Sequence, residues 1–171
     1  MIIGIHGKMG VGKSTLAELI MEEARCDAKL IKFASPLYDI QNFIYERTGL
    51  TMNGDKDRNL LQWIGNEWGR RKDENLWVNI FRKEVAAAIN TLLICDDLRY
   101  SNELQCIKEL GGITIKVVRY DYEKPTNGGM INHPSEYGIR DQDFDHTINN
   151  TGLGRLRTVA KHILYTHGLS N

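Results

Sequence analysis

The stretch Gly7-Lys8-Met9-Gly10-Val11-Gly12-Lys13-Ser14 limits what this chain can be more than any other part of it. It fits G-x-x-x-x-G-K-[ST] and follows a short apolar run with β-branched residues, Met1 to His6. Beyond it, from Lys13 to about Arg25, Leu16, Ala17, Leu19 and Ile20 lie among Glu18, Glu22 and Glu23 at the spacing of a half-buried helix. Strand, glycine turn and helix in that order make a phosphate-binding loop. The glycines let successive backbone N–H groups face an anion, the helix adds the positive end of its dipole, and Lys13 supplies a point charge. Ser14 stands where such loops ligate magnesium. The expected ATP-binding residues are Gly7, Met9, Gly10, Val11, Gly12, Lys13, Ser14 and Thr15.

The rest of the chain alternates strands and helices. Leu30 to Ala34 reads as a second strand, and Ser35-Pro36 opens a helix whose inner face is Leu37, Ile40, Phe43 and Ile44. A polar loop, Thr51 to Asp57, contains Asn53-Gly54. Two helices follow, one with Leu60, Leu61, Ile64 and Trp68 on its inner face, the other running from about Asn75 to Asn90 with Trp77, Ile80, Phe81, Val85 and Ala88. Leu92 to Cys95 is a buried parallel strand ending in Asp96-Asp97. Ser101 to Leu110 is helical, Gly111-Gly112 stops it, and Ile113 to Val118 is the next strand. Arg119 to Asp145 is polar, with Pro125, Gly128-Gly129 and Pro134, and reads as a long mobile loop or lid. Thr147 to Asn149 is a last short strand, and Leu153, Leu156, Val159, Ala160, Ile163 and Leu164 give a closing helix. This order implies one α/β domain with a mostly parallel sheet and helices on both faces. A length of 171 residues suits a single core.

Charge and cysteine content exclude several classes. Lys plus Arg number 22, as do Asp plus Glu, so no global field draws the chain to nucleic acid or to an anionic membrane. Any anion must be bound locally. Cys26, Cys95 and Cys106 form no C-x-x-C pair and are expected as free thiols. With no apolar run of about 18 residues and no signal-peptide pattern, a cytoplasmic protein is expected.

A phosphate loop is common to GTPases, motors, transporter ATPases and small-molecule kinases. Neither Asn-Lys nor Thr-Lys occurs, so the guanine-reading [NT]-K-x-D pattern is absent, and the chain is short for a motor or transporter module. Kinases of small metabolites remain. Asp96 and Asp97 end a strand on the side of a parallel sheet where ligands collect, and only one parity points into the cleft. Asp96 is expected at the magnesium shell, with Asp97 second; an N-cap role for the next helix is the plainer alternative. Arg99 either reaches phosphate or pairs with Glu103 at helical spacing. Transfer between two phosphates needs no strong base but needs charge cancelled, which arginine and magnesium do. Arg58, Arg70 and Arg71 lie between the second and third strands, and Arg119 and Arg140 border the polar loop. Trp68 and Trp77 fall on inner faces, while Trp63 lies off that stripe and suits base stacking better. His133 and His146 flank the loop without the spacing of a zinc site, and Ser135 and Glu136 are placed to orient a closed lid.

Taken together, these residues resemble the bacteriophage deoxynucleoside monophosphate kinases, a branch of the P-loop nucleoside monophosphate kinases. The likeness spans nearly the whole chain. It runs through the phosphate loop, Phe33-Ala34-Ser35-Pro36-Leu37, Leu61 to Arg70, Leu76-Trp77-Val78, Asp96 to Glu103, His133 to Glu136, and Asn149-Asn150-Thr151-Gly152. The resemblance implies an adenylate-kinase-like, five-stranded parallel sheet with helices on both faces, a helical acceptor-binding segment and a lid loop. It implies a core of about 1–34 and 90–171, an acceptor segment of about 35–78 and a lid of about 119–145. It further implies ATP with Mg2+ and a deoxynucleoside monophosphate held by Ala34, Leu37, Arg58, Gln62, Trp63, Arg70, Trp77, Asp97, Arg99 and Glu136. Lys13, Arg99, Arg140 and Asp96 are the expected catalytic residues, Ser14 and Asp96 the metal ligands, and Asn150 and Gly152 lie where such folds pass near the ATP base. Tyr38 stands where the family often has lysine, and Asn66 where threonine is common. Other readings are a different small-metabolite kinase, of phosphomevalonate or dephospho-coenzyme A type, and a regulator that binds ATP without transfer. A small nucleotide is the expected partner, with no nucleic acid and no membrane; a homodimer is left open.

Overall fold

The computed structural model describes residues 1–120 and 139–169. Their backbone contacts divide into two compact units, 1–31 with 88–171 and 32–87.

The first unit is built on five parallel strands, β1 (Ile2–His6), β2 (Ala28–Leu30), β3 (Leu92–Leu98), β4 (Ile113–Val118) and β5 (His146–Asn149), in the order β2-β3-β1-β4-β5. Continuous apolar runs in the central strands are what a sheet covered on both faces requires. Ile3 and Ile5 of β1 join the buried cluster formed with α1 (Lys13–Glu23) and α6 (Leu153–Thr166), through Leu16, Ile20, Leu156 and Ala160. Gly4 has the opposite parity and faces Ile107 of α5 (Ser101–Glu109), with 3.1 Å left for a Cβ. The sheet is therefore covered on both sides. The order places β1 in the middle, so the loop after it opens at the carboxyl edge between β3 and β4.

Element limits differ from the sequence expectation in informative places. The second strand is Ala28–Leu30, upstream of the Leu30 to Ala34 run. Ile31 N–H still bonds Ile94 O at 2.9 Å, but the chain then turns to start α2 (Ser35–Thr48), whose proline sits in the first turn. β3 runs on through Asp96 and Asp97 to Leu98, so both acids lie inside the strand.

Asp145 fastens the approach to β5. Its Oδ2 accepts hydrogen bonds from the Thr114 N–H at 2.8 Å and the Thr114 hydroxyl at 2.7 Å, and Thr114 is fully buried. Burial pushes the Asp145 carboxyl up, but these hydrogen bonds outweigh it and leave the group below its usual range. A carboxyl depressed in the folded state contributes stability above its unfolded pKa of about 3.9, lost as pH falls through the lower folded value. Asp145→Ala is therefore expected to be less stable than the parent at pH 7, with the gap closing below about pH 4. Urea unfolding of both proteins across that range checks it, and a gap independent of pH would refute it.

The second unit holds α2, α3 (Arg58–Gln62), a π-helix (Trp63–Arg70) and α4 (Leu76–Ala87). Its core includes Phe33, Ile64, Trp77, Val78 and Phe81, with Phe33 stacked on Phe81 at 3.8 Å between ring centres. Two sequence expectations fail in it. In α2, Phe43 is 61% exposed and Gln41 is the buried residue. Gln41 accepts the Asp57 N–H at 2.8 Å, so this helix face holds the polar 51–57 loop instead of an apolar partner. Trp68, placed on an inner face by α-helical spacing, is 41% exposed. In a π-helix the repeat is i→i+5, which turns Trp68 toward the side of Trp63 and leaves Ile64, Gly65 and Gly69 facing inward.

Candidate active site

The phosphate loop follows β1 directly and leads into α1. A loop that turns its N–H groups to an anion must find other partners for its carbonyls. Lys13 Nζ donates to Gly7 O at 2.8 Å and Lys8 O at 2.9 Å, and Gly12 O accepts the Leu16 N–H of the first helical turn at 3.0 Å. Gly12 has φ of +101°, and a Cβ there would lie 2.6 Å from Asn150 Nδ2, so both conformation and space demand glycine. Met9 and Gly10 are exposed at the tip, Thr15 is half-buried, and Val11 is buried beneath.

At the edge of β3, Asp96 is buried and its Oδ2 accepts a hydrogen bond from Ser14 Oγ at 2.6 Å. A hydroxyl and a carboxylate touching beside a phosphate loop form an all-oxygen donor pair, which suits a hard divalent cation that keeps several waters. Asp97, one residue on, points elsewhere: Cys95 Sγ–H donates to its Oδ1 at 3.1 Å. Burial first, and the Asp97 charge second, push the Cys95 thiol well above its usual range, so it stays protonated as the donor. Neither acid caps α5. Buried Glu103 does, accepting the N–H groups of Arg99 at 2.8 Å and Tyr100 at 3.0 Å through Oε2. A glutamate three residues into a helix is the sequence signal for this cap. Glu103 thus meets the Arg99 backbone, and Arg99 itself is exposed. Arg140 is exposed and paired with Asp143 at 3.4 Å.

Asn150, expected near the ATP base, is 5% exposed. Its Nδ2 donates to Val11 O at 2.8 Å and its Oδ1 accepts the Gly152 N–H at 2.9 Å. The side chain supports the phosphate loop. Gly152 is the N-cap of α6.

Of the residues expected at an acceptor site, Arg58, Gln62 and Trp63 are exposed, Trp63 at 55%. Arg70 is half-buried, with Nη1 3.5 Å from Glu74 O, and Leu37 is half-buried beside Gly65. Ala34 is the N-cap of α2. Trp77 departs from the expected substrate role: it is 2% exposed and donates Nε1–H to Gly65 O at 2.9 Å, which makes it a core residue without access to a substrate. Glu136, with His133 and Ser135, lies outside the described residues, as does most of the expected lid. Among the described residues no group of three or more His, Cys, Asp or Glu could hold a metal, and no helix is long and apolar enough to cross a membrane.

No family model matches the chain. It is 26% identical to a provisionally named deoxynucleotide monophosphate kinase of Acanthamoeba polyphaga mimivirus, over 87% of this chain and 88% of that one. It is 21% identical to the deoxynucleoside-5'-monophosphate kinase of Escherichia phage T5, over 91% and 92%. The chain is a kinase that carries a phosphate-loop sequence. A shikimate kinase from Acinetobacter baumannii, in complex with shikimate, shares the fold of this kinase at a TM-score of 0.50 and 15% identity, covering 97% of this chain and 92% of that one. The kinase therefore has the adenylate-kinase-like architecture expected from its sequence.

Proposed function

We propose that this kinase transfers the γ-phosphoryl group of ATP, with Mg2+, to the phosphate of a deoxynucleoside monophosphate. The likeness to two viral kinases of such nucleotides over nearly the whole chain carries the reading. An acceptor phosphate oxygen attacks the γ-phosphorus, the bond to the β–γ bridging oxygen breaks, and a nucleoside diphosphate and ADP leave. Mg2+, when bound, neutralises charge on the β- and γ-phosphates. Ser14 and Asp96 are the residues that would hold it, directly or through water. Lys13 would leave Gly7 O and Lys8 O for the phosphates. Arg99 and Arg140, both exposed, are free of a buried commitment and would offset charge as the phosphates approach.

The acceptor segment, about 35–78, would hold the monophosphate through Arg58, Gln62 and Arg70, with Trp63 against the base. The π-helix leaves Trp63 outward, and Arg70 ends the same element.

ADP release from ATP and Mg2+, with products identified by chromatography, across the deoxy and ribo monophosphates of every base, tests the reading. Diphosphate formed from deoxynucleotides is expected. Transfer only to a non-nucleotide hydroxyl, or ATP binding with no turnover on any acceptor, would refute it. Arg70→Ala is expected to raise the KM of the acceptor about tenfold or more and leave ATP affinity unchanged, since a charge-assisted hydrogen bond is lost on one side only. Unchanged acceptor KM and turnover would remove Arg70 from the site.

A further inference from the structure

The carbonyl groups of the phosphate loop are held in two ways. Gly7 O, Lys8 O and Gly12 O find partners within the loop and α1, from Lys13 Nζ and the Leu16 N–H. Val11 O is held from far along the chain, by Asn150 Nδ2 at 2.8 Å. Asn150 is in turn fixed at two further points. Its N–H donates to Val118 O at the end of β4 at 2.8 Å, and its Oδ1 accepts the Gly152 N–H at 2.9 Å. With 5% exposure, the amide has little room for another orientation.

We propose that Asn150 is a positioning residue of the phosphate loop, aiming the Gly12 N–H at the phosphates of the bound nucleotide. The inference rests on the phosphate-loop reading given above. In a planar trans peptide the carbonyl and the following N–H point in opposite directions. Holding Val11 O toward Asn150 therefore directs the Gly12 N–H away from it, to the side of the loop where the phosphates would lie. Gly12 φ of +101° is the backbone conformation this peptide orientation needs, and the 2.6 Å between a Gly12 Cβ and Asn150 Nδ2 shows how closely the amide backs the loop. Without the amide donor, a buried Val11 carbonyl has reason to turn, and the Gly12 N–H turns with it.

The test separates this role from contact with the base. Asn150→Ser keeps a hydroxyl for the Gly152 N–H but is too short to reach Val11 O, and Asn150→Asp sets a carboxylate oxygen against that carbonyl. Each full-length variant is titrated calorimetrically with ATP and with inorganic tripolyphosphate in the same Mg2+ buffer. Both ligands are expected to bind about tenfold to a hundredfold more weakly, by the same factor, with one ligand per chain retained. A loss for ATP alone would make Asn150 a base contact and overturn the proposal, as would unchanged affinity for both. A fall in stoichiometry at unchanged affinity, in both variants, would leave Asn150 a role in the fold only and equally overturn it. If the parent chain bound neither ligand, the phosphate-loop reading itself would fail, and this inference with it.

Discussion

Lys13→Ala is expected to lower turnover on the order of a thousandfold while the chain stays folded. The ammonium group contacts Gly7 O and Lys8 O in the structure, so its stem already arches back over the loop. Exchanging those two carbonyls for phosphate oxygens needs only a small movement of a flexible side chain, and no other residue of the loop carries the same charge at that place. Lys8, the other lysine of the motif, is exposed at the tip. Stability should change little, because Lys13 is not part of the buried cluster beneath it. Steady-state rates with saturating ATP and acceptor, together with a melting curve, check both halves. A folded variant with full turnover would show that phosphoryl transfer takes place elsewhere.

Trp77→Ala is expected to destabilise the second unit strongly. The side chain is 2% exposed and lies against the inner face of the π-helix, where a Cβ at Gly69 would come within 2.3 Å of the indole. Emptying such a site costs about 3–5 kcal/mol. Trp77→Phe isolates the polar part: most of the buried ring stays, but Gly65 O loses the Nε1–H that reaches it at 2.9 Å, at about 1–3 kcal/mol. Denaturant unfolding read by near-ultraviolet circular dichroism gives both values. A loss below about 1 kcal/mol for Trp77→Ala would mean that the indole is not the anchor of the second unit.

The π-helix explains why the tryptophans were hard to assign from spacing. Ile64, Trp68 and the residues before them fit an α-helical stripe, and nothing in a list of residue types announces an i→i+5 repeat. Once hydrogen bonding follows that repeat, Trp68 leaves the stripe. Phe43 failed for a different reason. Its helix packs Gln41 inward because the polar loop at Asp57 needs an acceptor, a demand made sixteen residues away.

The phosphate loop was legible because everything that shapes it is contiguous: an apolar strand, glycines at the turns, and a lysine and serine at the start of a helix. The alternation of elements was enough for the parallel sheet, since right-handed crossovers leave few other arrangements. Which way individual side chains point was decided only in the tertiary structure. Asp96 meets Ser14 while Asp97 takes the Cys95 thiol, because successive residues of β3 face opposite sides of the sheet. Asn150 reaches Val11 across 139 residues because β4 and β5 bring the start of α6 beside the loop. Local sequence determines a conformation that neighbouring residues can stabilise by themselves; a contact between distant segments exists only after the sheet has set their register.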